Sequence, residues 1–148
     1  YHNGKLLQGN KSITYESKST ELLATEHPVM TFTVDMKITF DDGKVYSRTG
    51  TTVKETIEGN ETPLNWEDNV FLVTGNSATS LANGDTVTTV ITTPLRYITS
   101  CKLPFPVSGI VSITKNTSVG TLDFGDGKCD NLATLTIDGV TKDIILEK

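Results

Sequence analysis

The stretch "DFGDGKCDN", Asp123 to Asn131, gathers three aspartates and one of the chain's two cysteines, groups that could hold a cation or act as a nucleophile. A calcium loop places its oxygens at alternate positions and closes with a bidentate glutamate. Here the spacing is D-x-x-D-x-x-x-D, which misses that pattern, and no glutamate follows at the required distance. A thiolate nucleophile wants a histidine base and an electropositive setting. The histidines are His2, near the chain start, and His27, beside Pro28, neither in a motif, and Cys129 is flanked by Asp130. Paired carboxylates for glycoside hydrolysis meet only in space. Glu16, Glu55, Glu58, Glu61 and Glu67 are available, but among 18 acidic residues they form no pattern. Nucleophile-elbow, zinc-protease, Walker and dinucleotide fingerprints are absent. Trp66, in "PLNWEDN", could stack on a sugar ring, although anchoring its loop against the core is the commoner role of such a residue. Sequons at Asn10, Asn60 and Asn116 follow from abundant Thr and Ser and are not read as glycan sites. The expectation is a protein with no catalytic residue, no metal and no cofactor.

Strands must position whatever these residues do. Threonine is the compositional outlier at 25 of 148 residues, and a β-branched hydroxyl suits the wet face of a pleated sheet. In "TFTVDMKITF" the residues Phe32, Val34, Met36, Ile38 and Phe40 share one face, while Thr31, Thr33, Asp35, Lys37 and Thr39 share the other. "DDG" at 41–43 supplies a hairpin turn, and "KVYSRTGTTVKETI" returns as a second long strand. The same punctuation recurs in "NGD" at 83–85, "GDG" at 125–127 and "DG" at 138–139. Further strands are expected at 11–16, 70–74, 96–102 and 107–114, giving about ten in a meander. "STELLATE" at 19–26 is the one helical candidate, of a turn or two, and 58–69 is the longest connection. The fold expected is all-β and antiparallel, one domain over 1–148, with a two-layer sandwich as first choice and a barrel or single curved sheet as alternatives.

The net charge of -5 and the scattered basic residues argue against a nucleic-acid partner. No apolar run approaches the ~20 residues of a membrane helix. The chain opens without Met or a signal-like segment, which reads as a mature or trimmed chain whose targeting or anchoring signal has been cut away.

With Asp126 and Gly127 in a two-residue turn, Phe124 pairs with Cys129 and Asp123 faces Asp130; with the turn at Gly125–Asp126, Asp123 faces Lys128 instead. Parity then puts Cys129 with Ala133, Leu135 and Ile137, and Cys101 with Leu95, Tyr97 and Leu103, both pointing inward. Two readings stand at this point: a Cys101–Cys129 disulfide, or two buried thiols acting as small hydrophobes.

The segments "NVFLVTG", "TTPL", "CKLPFPVSGIVSI" and "TLDFGDGKCDNLATLTIDG", closing with "DIILEK", resemble a family of uncharacterised Bacteroidetes extracytoplasmic lipoproteins. That family carries a "PVSG" strand and a D-[YF]-GDG-x-CDN-x-A hairpin, to which no chemistry is assigned; Phe124 stands where Tyr is common. "YHNGKLLQGNKSIT" and "ITFDDGKVYSRTG" resemble its first half. The resemblance implies an all-β protein exported to the periplasm or cell surface, touching the membrane only through an N-terminal lipid anchor that this chain lacks. It maps the two family cysteines onto Cys101 and Cys129, and an oxidising compartment favours their disulfide. The function expected is a non-catalytic structural or binding role toward a glycan or protein partner. A glycan-binding module of a nutrient-capture system, with Trp66 as platform, and a fimbrial or assembly component are the alternatives.

Overall fold

The structure, a computed structural model, describes residues 4–147. Nine antiparallel strands follow one another as β1 (Lys5–Lys18), β2 (His27–Phe40), β3 (Val45–Glu58), β4 (Val70–Ser80), β5 (Thr86–Ile98), β6 (Ser108–Lys115), β7 (Ser118–Asp126), β8 (Leu132–Ile137) and β9 (Val140–Ile145). Each pairs with its neighbour in sequence, in one sheet ordered β1 to β9 that does not close into a barrel. The all-β antiparallel meander stands. Its arrangement is the single sheet named as an alternative, because no strand leaves the meander to build a second layer over either face.

The strand count falls from ten to nine because 86–93 and 96–102 are one element. Pro94 cannot donate to a ladder, and β5 absorbs it at the register shifts between Ile91 and Arg96. Residues 99–101 then form a 3-10 turn, not strand. The helix considered at 19–26 is also absent. Thr20 instead makes an irregular turn, its N–H donating to the Leu23 carbonyl and its hydroxyl accepting from Leu22 N–H.

Hairpin chemistry fixes the register. At 41–44 and again at 82–85, Gly43 (φ 86°) and Gly84 (φ 93°) take the left-handed conformation that follows a type I turn. Asp138 (φ 50°) and Gly139 (φ 88°) form the primed two-residue turn between β8 and β9.

Because every pairing is antiparallel, register carries each strand's alternation across the whole sheet. One face bears Leu7, Ile38 and Tyr46 in one row, and Ile91, Val111, Leu122 and Leu135 in another. The opposite face bears a row that crosses all nine strands: Ser12, Thr33, Thr51, Asn76, Val90, Ser112, Thr121, Thr136 and Thr141. These are termed the apolar face and the threonine face. Hydroxyl pairs between Ser12 and Thr33, and between Thr136 and Thr141 (2.9 Å), tie neighbouring strands along that row.

Burial is confined to two patches. His27, Val29, Glu55 and Val70 are buried on the threonine face, near the strap of residues 19–26. Leu95, Val111 and Ala133 are buried on the apolar face, as is Val107 in the segment entering β6. The chain exposes 9601 Å². A compact chain of 16.0 kDa exposes about 7,400 Å². The difference is the mark of a sheet left as one layer.

Candidate functional site

Cys101 and Cys129 are joined by a disulfide, with Cα atoms 5.3 Å apart. Neither lies on a strand. Cys101 ends the 3-10 turn after β5, and Cys129, exposed, lies in the loop between β7 and β8, so the inward orientation expected from strand parity is corrected. The two-residue turn at Asp126–Gly127 is corrected too. Leu122 pairs with Leu135 and Asp123 with Thr134, leaving 127–131 as loop. The end of β7 leans instead on the neighbouring strand: Asp126 pairs with Ser108, and Gly127 N–H donates to the Val107 carbonyl at 2.9 Å.

Of the three aspartates around this loop, two accept from nearby backbone N–H groups and one faces a lysine. Asp123 accepts from Gly125 N–H at 2.9 Å, Asp130 accepts from Leu132 N–H at 3.0 Å, and Asp126 lies 3.7 Å from the Lys128 ammonium. Asp123, Asp130 and Asp143 line one shallow cavity of about 290 Å³. Among the described residues no cluster of three or more His, Cys, Asp or Glu groups is poised to hold a metal.

His27 and Glu55 form a buried pair that sequence spacing did not bring together. Their side chains, 28 residues apart, meet at 2.7 Å from Nε2 to Oε1, and His27 Nδ1 lies 2.7 Å from the Thr25 carbonyl. A carbonyl and a carboxylate oxygen face the two ring nitrogens, an arrangement that favours the doubly protonated imidazole. Burial works to lower its pKa, but the Thr25 carbonyl, the Glu55 hydrogen bond and the Glu55 charge together raise it above the ordinary 6.5. Glu55 also accepts from the Thr20 hydroxyl, which fastens the 19–26 strap to the sheet. With His27 1% and Glu55 4% exposed, the pair is shut off from any substrate. His2 lies outside the described residues.

Trp66 is 74% exposed, beside a fully exposed Leu64, its indole N–H donating to the Pro63 carbonyl at 3.2 Å. The core-anchoring role is thereby corrected: the ring is presented to solvent. A polar cavity of about 430 Å³ lined by Glu58, Asn60, Glu61 and Asp68 opens in the same connection, but Trp66 does not line it.

Charge divides between the faces. Register places all seven acidic strand residues (Glu16, Asp35, Glu55, Glu58, Asp123, Asp126 and Asp143) on the threonine face. The apolar face carries Lys5, Lys11, Arg48, Lys54, Lys115 and Lys142 and no acid from any strand. Among the described residues none of these six cations has an ion-pair partner. Lys5 and Lys54 lie over the rings of Phe40 and Phe71, 5.1 and 4.1 Å from their centroids. The signal was present in the sequence, but reading it requires parity carried through every turn, including the one at 125–131.

Comparison of the chain with models of known protein families, with curated proteins and with solved structures returns no match.

Proposed function

We propose that this is an exported, lipid-anchored, non-catalytic protein that works by presenting its sheet to a partner. The observation that carries the reading is the single-layer sheet, whose apolar face is covered around Leu95, Val107, Val111 and Ala133 but lies open as a groove over β1, β2 and β3. An apolar groove left open on a sheet face marks an interaction site. The Cys101–Cys129 bridge supports an oxidising compartment, the periplasm or the cell surface. Burial of the described histidine, and aspartates turned onto their own backbone, support a role without catalysis. Fractionation of the producing cell with thiol titration tests the export reading; recovery from the cytosol with both cysteines free would sink it.

Two further readings each rest on one observation. The exposed Trp66 favours a glycan-binding module, for which Trp66→Ala should abolish polysaccharide binding while leaving the melting temperature unchanged. The open outer edges of β1 and β9 favour an assembly component that pairs strand to strand.

A further inference from the structure

We propose that the apolar face holds a site for a single-chain anionic amphiphile, a long-chain carboxylate in its simplest form. The proposal rests on the binding reading above and names its ligand class. A groove of about 540 Å³ runs over β1, β2 and β3, floored by Leu7, Val34, Met36 and Ile38 and flanked by Lys11 and Arg48. That volume falls within the range of small-molecule sites.

Glycines shape the groove. Gly9 lies opposite Met36 and Gly50 opposite Val34, so the floor residues have no side chain beside them on one flank. Hydrocarbon laid in this channel would remove apolar side chains of β1 and β2 from water, the main favourable contribution to binding such a chain.

Charge selects the head group. Lys11 pairs with Val34 and Arg48 with Met36, two strands and two residues apart, so their backbones are separated by about 12 Å across the pleat. Both are long, flexible side chains, and one head group between them lies within their joint reach. The sole described partner of Arg48 is the Ser77 hydroxyl at 3.5 Å, a long contact that leaves the guanidinium fork open to an anion. A second copy of this chain fits poorly, since an isologous contact of two apolar faces would oppose cations to cations with no strand acid on either side. The occupant is a free molecule and not a bilayer, because Val34, Met36 and Ile38 at the centre of the floor are half-buried between Lys11 and Arg48.

The test uses the purified 148-residue chain. Binding of laurate and of dodecyltrimethylammonium, both below micelle formation, is measured by calorimetry, alongside light scattering for oligomeric state. The expected result is one laurate per chain, with the cationic analogue bound at least about tenfold more weakly, as loss of a charge-assisted contact implies. Lys11→Gln and Arg48→Gln, each with an unchanged melting temperature, should weaken laurate by a similar factor. Should Arg48→Gln fail to fold, Lys11→Glu on the edge strand carries the same test. Equal binding of the two amphiphiles, no binding, binding only to anionic vesicles, or a dimer that buries the groove would each overturn the proposal. A dimer would leave the broader binding reading intact, so the two fail separately.

Discussion

At the scale of single residues, the buried His27–Glu55 pair is the most consequential polar feature. Removing one member leaves the other buried and uncompensated, which costs about 3–5 kcal/mol in comparable pairs, so Glu55→Ala should unfold at markedly lower urea. The pair also sets a pH dependence. The His27 pKa is raised on folding, so its stabilisation is complete below the unfolded value of 6.5 and is lost as pH rises through the folded one. Urea midpoints should therefore fall on the alkaline side of about pH 6.5, and His27→Gln should flatten that slope. Asp42 and Asp138, lowered chiefly by hydrogen bonds at their turns, act only at the acid end and leave this window clean. Neither His27 nor Glu55 belongs to a motif; they meet because β2 and β3 pair with Val29 opposite Glu55, a register visible only once the 41–44 turn is built. Trp66 illustrates the opposite difficulty, since no local pattern distinguishes a ring packed on a core from one presented to water.

At the scale of elements, alternation and turn chemistry made most of the sheet legible. "TFTVDMKITF" forms the greater part of β2, and three of the four Gly-containing turns lie between the strands they were expected to separate. The fourth does not form, because Asp126–Gly127 is good turn chemistry that loses to long-range constraints: pairing with β6 and the bridge to Cys101 hold 127–131 as a loop. That bridge closes a separation of 28 residues, so its reduction should lower stability by about 3.5 kcal/mol on the chain-entropy account, seen as a lower urea midpoint. Two glycines separate two kinds of constraint. Gly84 has open space around it and only a left-handed φ, so Gly84→Asn should be nearly neutral while Gly84→Val costs about 1–2 kcal/mol. Gly50 has no such φ, but a Cβ there would meet Ser77 Cβ at 2.7 Å and the Asn76 carbonyl oxygen at 2.8 Å. Gly50→Ala should cost about 1–3 kcal/mol by overpacking, and Gly50→Asn should bring no relief.

At the scale of the whole molecule, the preference for a sandwich assumed that an alternating strand buries its apolar half within its own chain. This chain has the alternation without the second layer, and composition does not report which faces are covered. The same openness leaves two sheet edges unpaired among the described residues, of very different reach. β9 is short, six residues, with Lys142 and Asp143 near its middle, both devices that discourage pairing. β1 is fourteen residues long, and Leu7, Ile13 and Tyr15 stand more than half exposed along it. A long edge of that character recruits further strands, so association through β1 should grow with concentration and temperature. Ile13 shares the apolar face with Lys11 but does not line the Lys11–Arg48 groove, which makes it the position at which to test the edge strand without altering the groove. Ile13→Lys adds a charge to the edge while removing an already exposed side chain, so folding stability should change by no more than about 0.5 kcal/mol. Light scattering during a thermal ramp should then show aggregation delayed to higher temperature. Unchanged scattering would mean that association does not begin at this part of β1; a rise in ordered, strand-paired oligomers of the parent chain would favour assembly as the working role.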